Sequence, residues 1–210
     1  ALHIDANHHQ ALAQLAELQL ASGETTAALN TASRLARIAQ SDHEKAIALN
    51  CLGKLHMVTG EAEKALHCYF EALNLGGPTE PLLTSFKQLT QESNQWDYFI
   101  QALENFLKHT PSDVALIATA YRELAWVHHY KRERTEVAID TLRMGIAKTH
   151  GDLGLRKILV QRLREANQPA EAIDELHQIL QTDVTLTDMW RELAKLYLVS
   201  HRPTEARLAI

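Results

Sequence analysis

The sequence predicts an all-α fold, a solenoid of about six stacked helix–turn–helix repeats with the last one truncated. Three observations predict it. Segments of one design recur along the chain: "GETTAALNTASRL" (23–35), "GEAEKALHCYFEAL" (60–73), "QPAEAIDEL" (168–176) and "RPTEARLAI" (202–210). Each opens on a turn residue, passes through an acidic first turn and reaches an alanine at the same place. Upstream of each lies a second amphipathic segment whose apolar residues step by three and four, the spacing of a helix face. Finally, the chain holds only 8 glycines and no alternating pattern of strands.

The marker alanines are Ala28, Ala65, Ala172 and Ala206, with two looser members at "QWDYFIQALENFL" (95–107) and "RTEVAIDTLRMGI" (134–146). Phe99 takes the alanine place in the first of these and Ala138 in the second. The intervals along the series are 37, 34, 39, 34 and 34 residues. A period near 34 is the length of one helical hairpin in a stacked array.

Taken in order, the hairpins fall at about 6–39, 43–76, 79–109, 114–149, 153–182 and 186–210. The first sets Leu12, Leu15 and Ala16 before Ala28, and the second sets Leu49, Leu52, Gly53 and His56 before Ala65. The third departs most, with Lys87 where a small residue belongs and Phe99 for the alanine. It is expected to be the weakest link or a bend, opening to hydrogen exchange before 43–76. The fourth presents Tyr121, Leu124, Ala125 and His128, and the fifth has Val160 at the small position. The sixth has Trp190, Leu193, Ala194 and Tyr197, then a turn and helix start at Arg202–Pro203, where proline fits a first turn. The extra residues of the longer intervals fall near 40–44 and 109–116 and lengthen connections. The connections "GGP" (76–78), "TPSD" (110–113) and "THGDLG" (149–154) carry turn residues. A pair of four-helix bundles is the alternative architecture. The last helix reads as half built, so the chain is expected to continue in a longer parent, or to self-associate through that truncated end.

The pattern resembles the tetratricopeptide (TPR) family, whose signature runs W-x2-L-G-x2-Y, then A-x3-F, then P. The sixth hairpin matches with Trp190, Leu193, Ala194 for glycine, Tyr197 and Ala206, with Ile210 in the Phe place. The second matches with Leu52, Gly53, Ala65 and Tyr69. Only Pro111 falls near the expected proline. The resemblance covers the whole chain and rests on periodicity more than on any single motif.

It implies a right-handed solenoid whose concave face is lined by first-helix residues. With the small residue as register mark, the inward positions are Arg122, Glu123, Trp126 and His129 in hairpin four, and Lys157, Ile158, Gln161 and Arg164 in hairpin five. In hairpin six they are Arg191, Glu192, Lys195 and Leu198. Hairpins one to three offer Ala13, Gln14, Glu17, Asn50, Cys51, Lys54, Thr84, Ser85 and Gln88. The candidate partner-binding residues are therefore Arg122, Trp126, His129, Lys157, Gln161, Arg164, Arg191 and Lys195. A cationic ladder with an aromatic anchor suits an acidic or C-terminal-carboxylate segment. The alternative is a solvated charged face with Trp126 packed between helices. Chaperone-binding members hold a carboxylate with Lys, Asn and Arg. The matching places here carry Ala13, Glu17, Cys51, Pro81 and Ser85, so that adaptor role is not implied.

Chemistry is sparse. GxxxxGK[ST], GxGxxG, GxSxG, HExxH and CxxC are all missing. Among 12 histidines, His8–His9 and His128–His129 are adjacent and point about 100° apart on a helix. His67 and Glu71 share a face but make only half a zinc site. No catalytic residue, metal site or cofactor is expected. The two cysteines, Cys51 and Cys68, read as thiols in a reducing compartment, with a bond or a metal pair as the alternative. This favours the cytoplasm over the periplasm. Residues 1–110 carry 7 Lys+Arg against 12 Asp+Glu, and residues 111–210 carry 14 against 14. Neither half has the basic excess of a phosphate-backbone binder, so nucleic acid is not an expected partner. No apolar run reaches the ~20 residues of a membrane span, so no membrane insertion is expected. The function expected is a non-enzymatic scaffold that binds another protein or peptide. Its rivals are a regulatory or substrate-recruiting arm of an enzyme whose catalytic domain lies elsewhere, and a helical-repeat RNA binder.

Overall fold

The structure is a computed structural model, and it describes residues 9–109 and 112–209. Residues 6–8 of the first hairpin, the Thr110–Pro111 pair and Ile210 lie outside the described residues. Among those described there are twelve helices and no strand. The chain forms two compact units that divide after residue 111.

Unit 1 holds α1 (His9–Ala21), α2 (Thr25–Ile38), α3 (Asp42–Val58), α4 (Ala62–Gly76), α5 (Glu80–Ser93) and α6 (Trp96–Lys108). Unit 2 holds α7 (Val114–Tyr130), α8 (Thr135–Lys148), α9 (Leu153–Glu165), α10 (Pro169–Thr182), α11 (Thr187–Val199) and α12 (Pro203–Leu208). Odd-numbered helices pair with the even-numbered ones that follow. The first helices also approach each other, α1 with α3 and α3 with α5 in unit 1, and α7 with α9 in unit 2.

The hairpins share one turn. Each holds a residue in the left-handed region: Gly23, Gly60, Asn94, Glu133, Asn167 and His201, with φ from 53° to 80°. These lie five residues before the marker positions and repeat their intervals. The next residue donates its N–H back into the finished helix, as Glu61 does to the His56 carbonyl and Gln168 to the Leu163 carbonyl, both at 2.8 Å. This bond satisfies a carbonyl that the helix end leaves open. Hairpin four carries one extra turn residue, and there Arg134 reaches the His128 carbonyl at 2.8 Å.

Helix starts follow from local chemistry. Ser41 and Glu44 form a reciprocal capping box at α3. Asp113 caps α7 by accepting from the Ala115 and Leu116 N–H groups, and Asp152 caps α9 by accepting from that of Leu155. Pro81, Pro169 and Pro203 occupy first turns, where no N–H partner is lost.

Ala28, Ala65, Ala172 and Ala206 are all buried, as the repeat pattern predicts, and so are Phe99 and Ala138. The small residues permit close helix approach. A Cβ placed on Gly53 would fall 2.4 Å from the Tyr69 ring, and one on Gly145 would fall 2.7 Å from the Tyr121 Cβ. Cys51 and Cys68 are free. Burial, with the Glu17 charge second, pushes the Cys51 thiol up to about 11. Burial also raises the Cys68 thiol.

Candidate functional site

The candidate residues all belong to unit 2, on α7, α9 and α11. The structure sorts them into two groups. Arg122 and Trp126 of α7 and Gln161 of α9 come together around a cavity of about 290 Å³. Ala125, Tyr130 and Ile158 supply its apolar lining, and Glu123 and Arg162 complete it. The geometry follows from helix phase. Arg122, Trp126 and Tyr130 are four apart, so one stripe of α7 faces α9. The Trp126 and Tyr130 rings lie 5.8 Å apart, and the Lys131 ammonium sits 5.4 Å from the Trp126 centroid.

Arg162 is the best-held charge in the molecule's described part near this cavity. It is 6% exposed. Its Nη1 donates to Glu165 Oε2 at 2.5 Å, its Nη2 donates to Tyr130 Oη at 3.1 Å, and its guanidinium lies 4.9 Å from the Tyr130 centroid. A buried guanidinium needs this compensation. Here it holds Tyr130, itself half exposed, as one wall of the cavity.

His129 stands behind that wall, edge-on to Tyr130 at 4.5 Å. Its Nε2 lies 3.2 Å from Glu165 Oε2, and its Nδ1 lies 3.2 Å from Thr135 Oγ1. A carboxylate only accepts, so Nε2 carries the proton and Nδ1 accepts from the Thr135 hydroxyl. Burial lowers the His129 pKa, the Arg162 charge lowers it further, and Glu165 opposes both. Burial thus favours the neutral side chain, which serves as packing and a hydrogen-bond link.

The remaining cations are not gathered into the cavity. Glu192 holds two of them, Arg164 at 2.5 Å and Lys195 at 2.8 Å. Those contacts, the Lys195 hydrogen bond foremost, hold the Glu192 carboxyl below its usual range against the effect of burial. Arg191 pairs with Asp188 at 3.1 Å on the open surface. The Lys157 charge bears on Asp183, whose carboxyl is lowered chiefly by hydrogen bonds from Thr185. The ladder is thus matched by carboxylates of the same unit.

Sequence reasoning missed Arg162 and Tyr130. The Trp126-to-Tyr130 spacing of four was the one available signal, placing both rings on one helix face. Arg162 occupies a buried position, where a pattern reading expects an apolar side chain. Among the described residues, no three of His, Cys, Asp and Glu stand where they could hold a metal ion. No helix there is long and apolar enough to cross a membrane.

Twelve helices in hairpins, joined through left-handed turns at this interval, define a TPR-like helical-repeat protein. Two solved structures, with TM-scores of 0.52 and 0.50, agree on the fold. A MamA protein is 15% identical with a TM-score of 0.52, over 78% of this chain and 87% of that one. PilF of Pseudomonas aeruginosa is 15% identical with a TM-score of 0.50, over 96% of this chain and 88% of that one. YrrB, described as a TPR protein with an unusual peptide-binding site, is 18% identical with a TM-score of 0.48, over 78% of this chain and 82% of its own. No family model matches the sequence, and no curated protein matches it. At such identities the likeness is one of fold.

Proposed function

We propose that the chain is a non-enzymatic protein-interaction module, and that the cavity between α7 and α9 receives an apolar or aromatic side chain of a partner segment. The observation that carries this reading is the cavity itself: Trp126 and Tyr130 on one wall, Ile158 opposite, and a buried Arg162 that holds the tyrosine in place. Aromatic anchors in desolvated pockets dominate most interfaces. Arg122, 3.7 Å from the Glu123 carboxylate, and Gln161 are exposed at the same cavity and suit a carboxylate or an acidic residue beside the anchor. Arg164, Arg191 and Lys195 already have carboxylate partners, so they contribute rim attraction that salt weakens. Affinity of this kind falls at about the micromolar level, near −8 kcal/mol.

The test is a pull-down with the intact chain, followed by titration of the captured partner against variants. Trp126→Ala is expected to weaken binding roughly tenfold or more. Arg122→Glu is expected to weaken it less, and Lys195→Glu to stay within about twofold. If Trp126→Ala and Arg122→Glu bind as the parent does while remaining folded, the cavity is not the site.

A further inference from the structure

Unit 2 holds a ring of side chains in which one carboxylate serves two helices. His129 and Tyr130 are neighbours at the end of α7, and Arg162 and Glu165 lie three residues apart at the end of α9. Two bonds cross between the helices. His129 Nε2 donates to Glu165 Oε2 at 3.2 Å, and Arg162 Nη2 donates to Tyr130 Oη at 3.1 Å. Arg162 Nη1 closes the ring by donating to the same Glu165 Oε2 at 2.5 Å. The other carboxylate oxygen, Oε1, accepts from Gln161 Nε2 at 3.3 Å.

The charge in this ring is balanced only while His129 is neutral. Glu165 brings one negative charge and Arg162 one positive charge. The charges that bear on His129 are these two, both from α9. The start of α8 presents the uncharged Thr135 hydroxyl, and α7 itself presents the Tyr130 ring. A proton added to His129 goes to Nδ1, because Nε2 already carries its hydrogen. It brings no new bond to the carboxylate, and it makes the Thr135 hydroxyl turn from donor to acceptor. It sets two cations on one carboxylate where the His129 side chain is 16% exposed and that of Arg162 is 7% exposed. A buried charge without a counter-charge of its own is unfavourable. Burial and the Arg162 charge both work against the imidazolium, and Glu165 offsets them only in part.

We propose that this ring is an acid-released latch between α7 and α9: a proton on His129 leaves the ring one negative charge short, and the two crossing bonds give way so that the imidazolium reaches water. The unfolded chain takes up this proton at the ordinary histidine value of 6.5, and the folded chain only below it. The stabilisation is therefore complete above that value and is lost as the pH falls below it toward the folded pKa. Tyr130 is a wall of the α7–α9 cavity and Arg162 is the side chain that holds it. Mild acid thus loosens the cavity, whether or not a partner segment enters it.

The experiment uses the intact chain and needs no ligand. Histidine ring NMR from about pH 7.5 to about pH 5 is expected to show His129 titrating below 6.5. Amide exchange, corrected for its intrinsic pH dependence, is expected to speed up severalfold at the end of α7 and the end of α9 over the same range. His129→Gln offers an amide that donates to Glu165 and accepts from Thr135 but takes up no proton, and it is expected to abolish that acceleration. Between about pH 7 and about pH 5 the parent's Tm is expected to fall by roughly 2–4 °C more than that of His129→Gln. Tyr130→Phe keeps the ring and loses the Arg162 bond, and it is expected to exchange faster at the end of α7 already at neutral pH. The latch is ruled out if His129 titrates at or above 6.5, if exchange in α7 and α9 is the same at both ends of the pH range, or if parent and His129→Gln respond alike. The first two outcomes are read on the parent, so they decide even where a variant fails to fold.

Discussion

Hairpins two and three lie side by side in unit 1 and solve the same packing problem in opposite ways. In hairpin two the glycine at the small position lets Tyr69 lie directly on the α3 backbone, where a single added Cβ would meet the ring at 2.4 Å. In hairpin three the small position holds Lys87 and the marker position holds Phe99. The backbones of α5 and α6 approach each other least closely of the six pairs. The gap is filled by rings: Phe99 meets Phe86 edge-on at 5.0 Å, Trp96 meets Phe99 edge-on at 6.2 Å, and Tyr69 of hairpin two joins Phe86 at 5.7 Å. A departure from the repeat pattern therefore marks a change in packing style, with bulk replacing proximity. Phe86 and Phe99 have no exposed surface, so the cluster is core, not a void.

The largest effect expected from this contrast is at Phe99. Phe99→Ala restores the pattern residue but empties the ring cluster, because the helices are already set apart. It should cost roughly 3–5 kcal/mol, read by urea unfolding. Amide exchange in the parent should be faster across α5 and α6 than across α3 and α4, and this variant should widen the difference. If Phe99→Ala is neutral, the helices have closed up and the two hairpins are interchangeable.

Gly53→Ala is the mirror experiment. It adds one methyl group where the Tyr69 ring leaves no room, and should cost about 1–3 kcal/mol. Tyr69→Leu in the same background should recover part of the loss, since the offending ring is removed. A Gly53→Ala chain as stable as the parent would mean that Tyr69 can shift freely, and that close approach is not what holds hairpin two.

The same contrast tells how much of the molecule was legible in its sequence. The marker alanines and the turn residues before them are short-range signals, and the all-helical repeat fold was legible from them. The aromatic cluster was not legible, because Phe86, Trp96 and Phe99 look like scattered apolar residues until two helices are phased against each other. The candidate site divided along the same line. Arg122, Trp126 and Gln161 could be read from helix register. The neutralisation of Arg164 could not, because its partner Glu192 lies 28 residues away on another helix.

The turns give a smaller contrast. Hairpin two uses Gly60 at φ 76° and hairpin three uses Asn94 at φ 53°. A residue with a Cβ is strained in this region, by roughly 1–2 kcal/mol, and asparagine is strained least. Gly60→Ala should therefore destabilise by about 1 kcal/mol. Asn94→Gly should change stability by only a few tenths. Equal effects at the two sites would show that the turns do not constrain their hairpins.

A last contrast separates the helix starts. At α3, the Ser41 hydroxyl accepts from the Glu44 N–H at 3.2 Å, and Glu44 Oε2 accepts from the Gln40 and Ser41 N–H groups at 2.8 and 3.1 Å. At α5, Thr79 makes no such side-chain bond. The backbone donors Gln40 and Ser41 are the main reason the Glu44 carboxyl sits below its usual range. Its folded pKa is thus lower than its unfolded one. The stabilisation is complete above the ordinary carboxylate pKa of about 4.5 and is lost as the pH falls through that value toward the folded pKa. Ser41→Ala should cost about 1 kcal/mol at neutral pH. Glu44→Gln keeps an acceptor for the same N–H groups but cannot titrate. Its stability between pH 5 and pH 3 (a window of two units on the acid side) should fall less steeply than the parent's in matched thermal melts. Parallel curves for parent and variant would mean that the α3 cap carries no charge-dependent advantage over the uncapped start of α5.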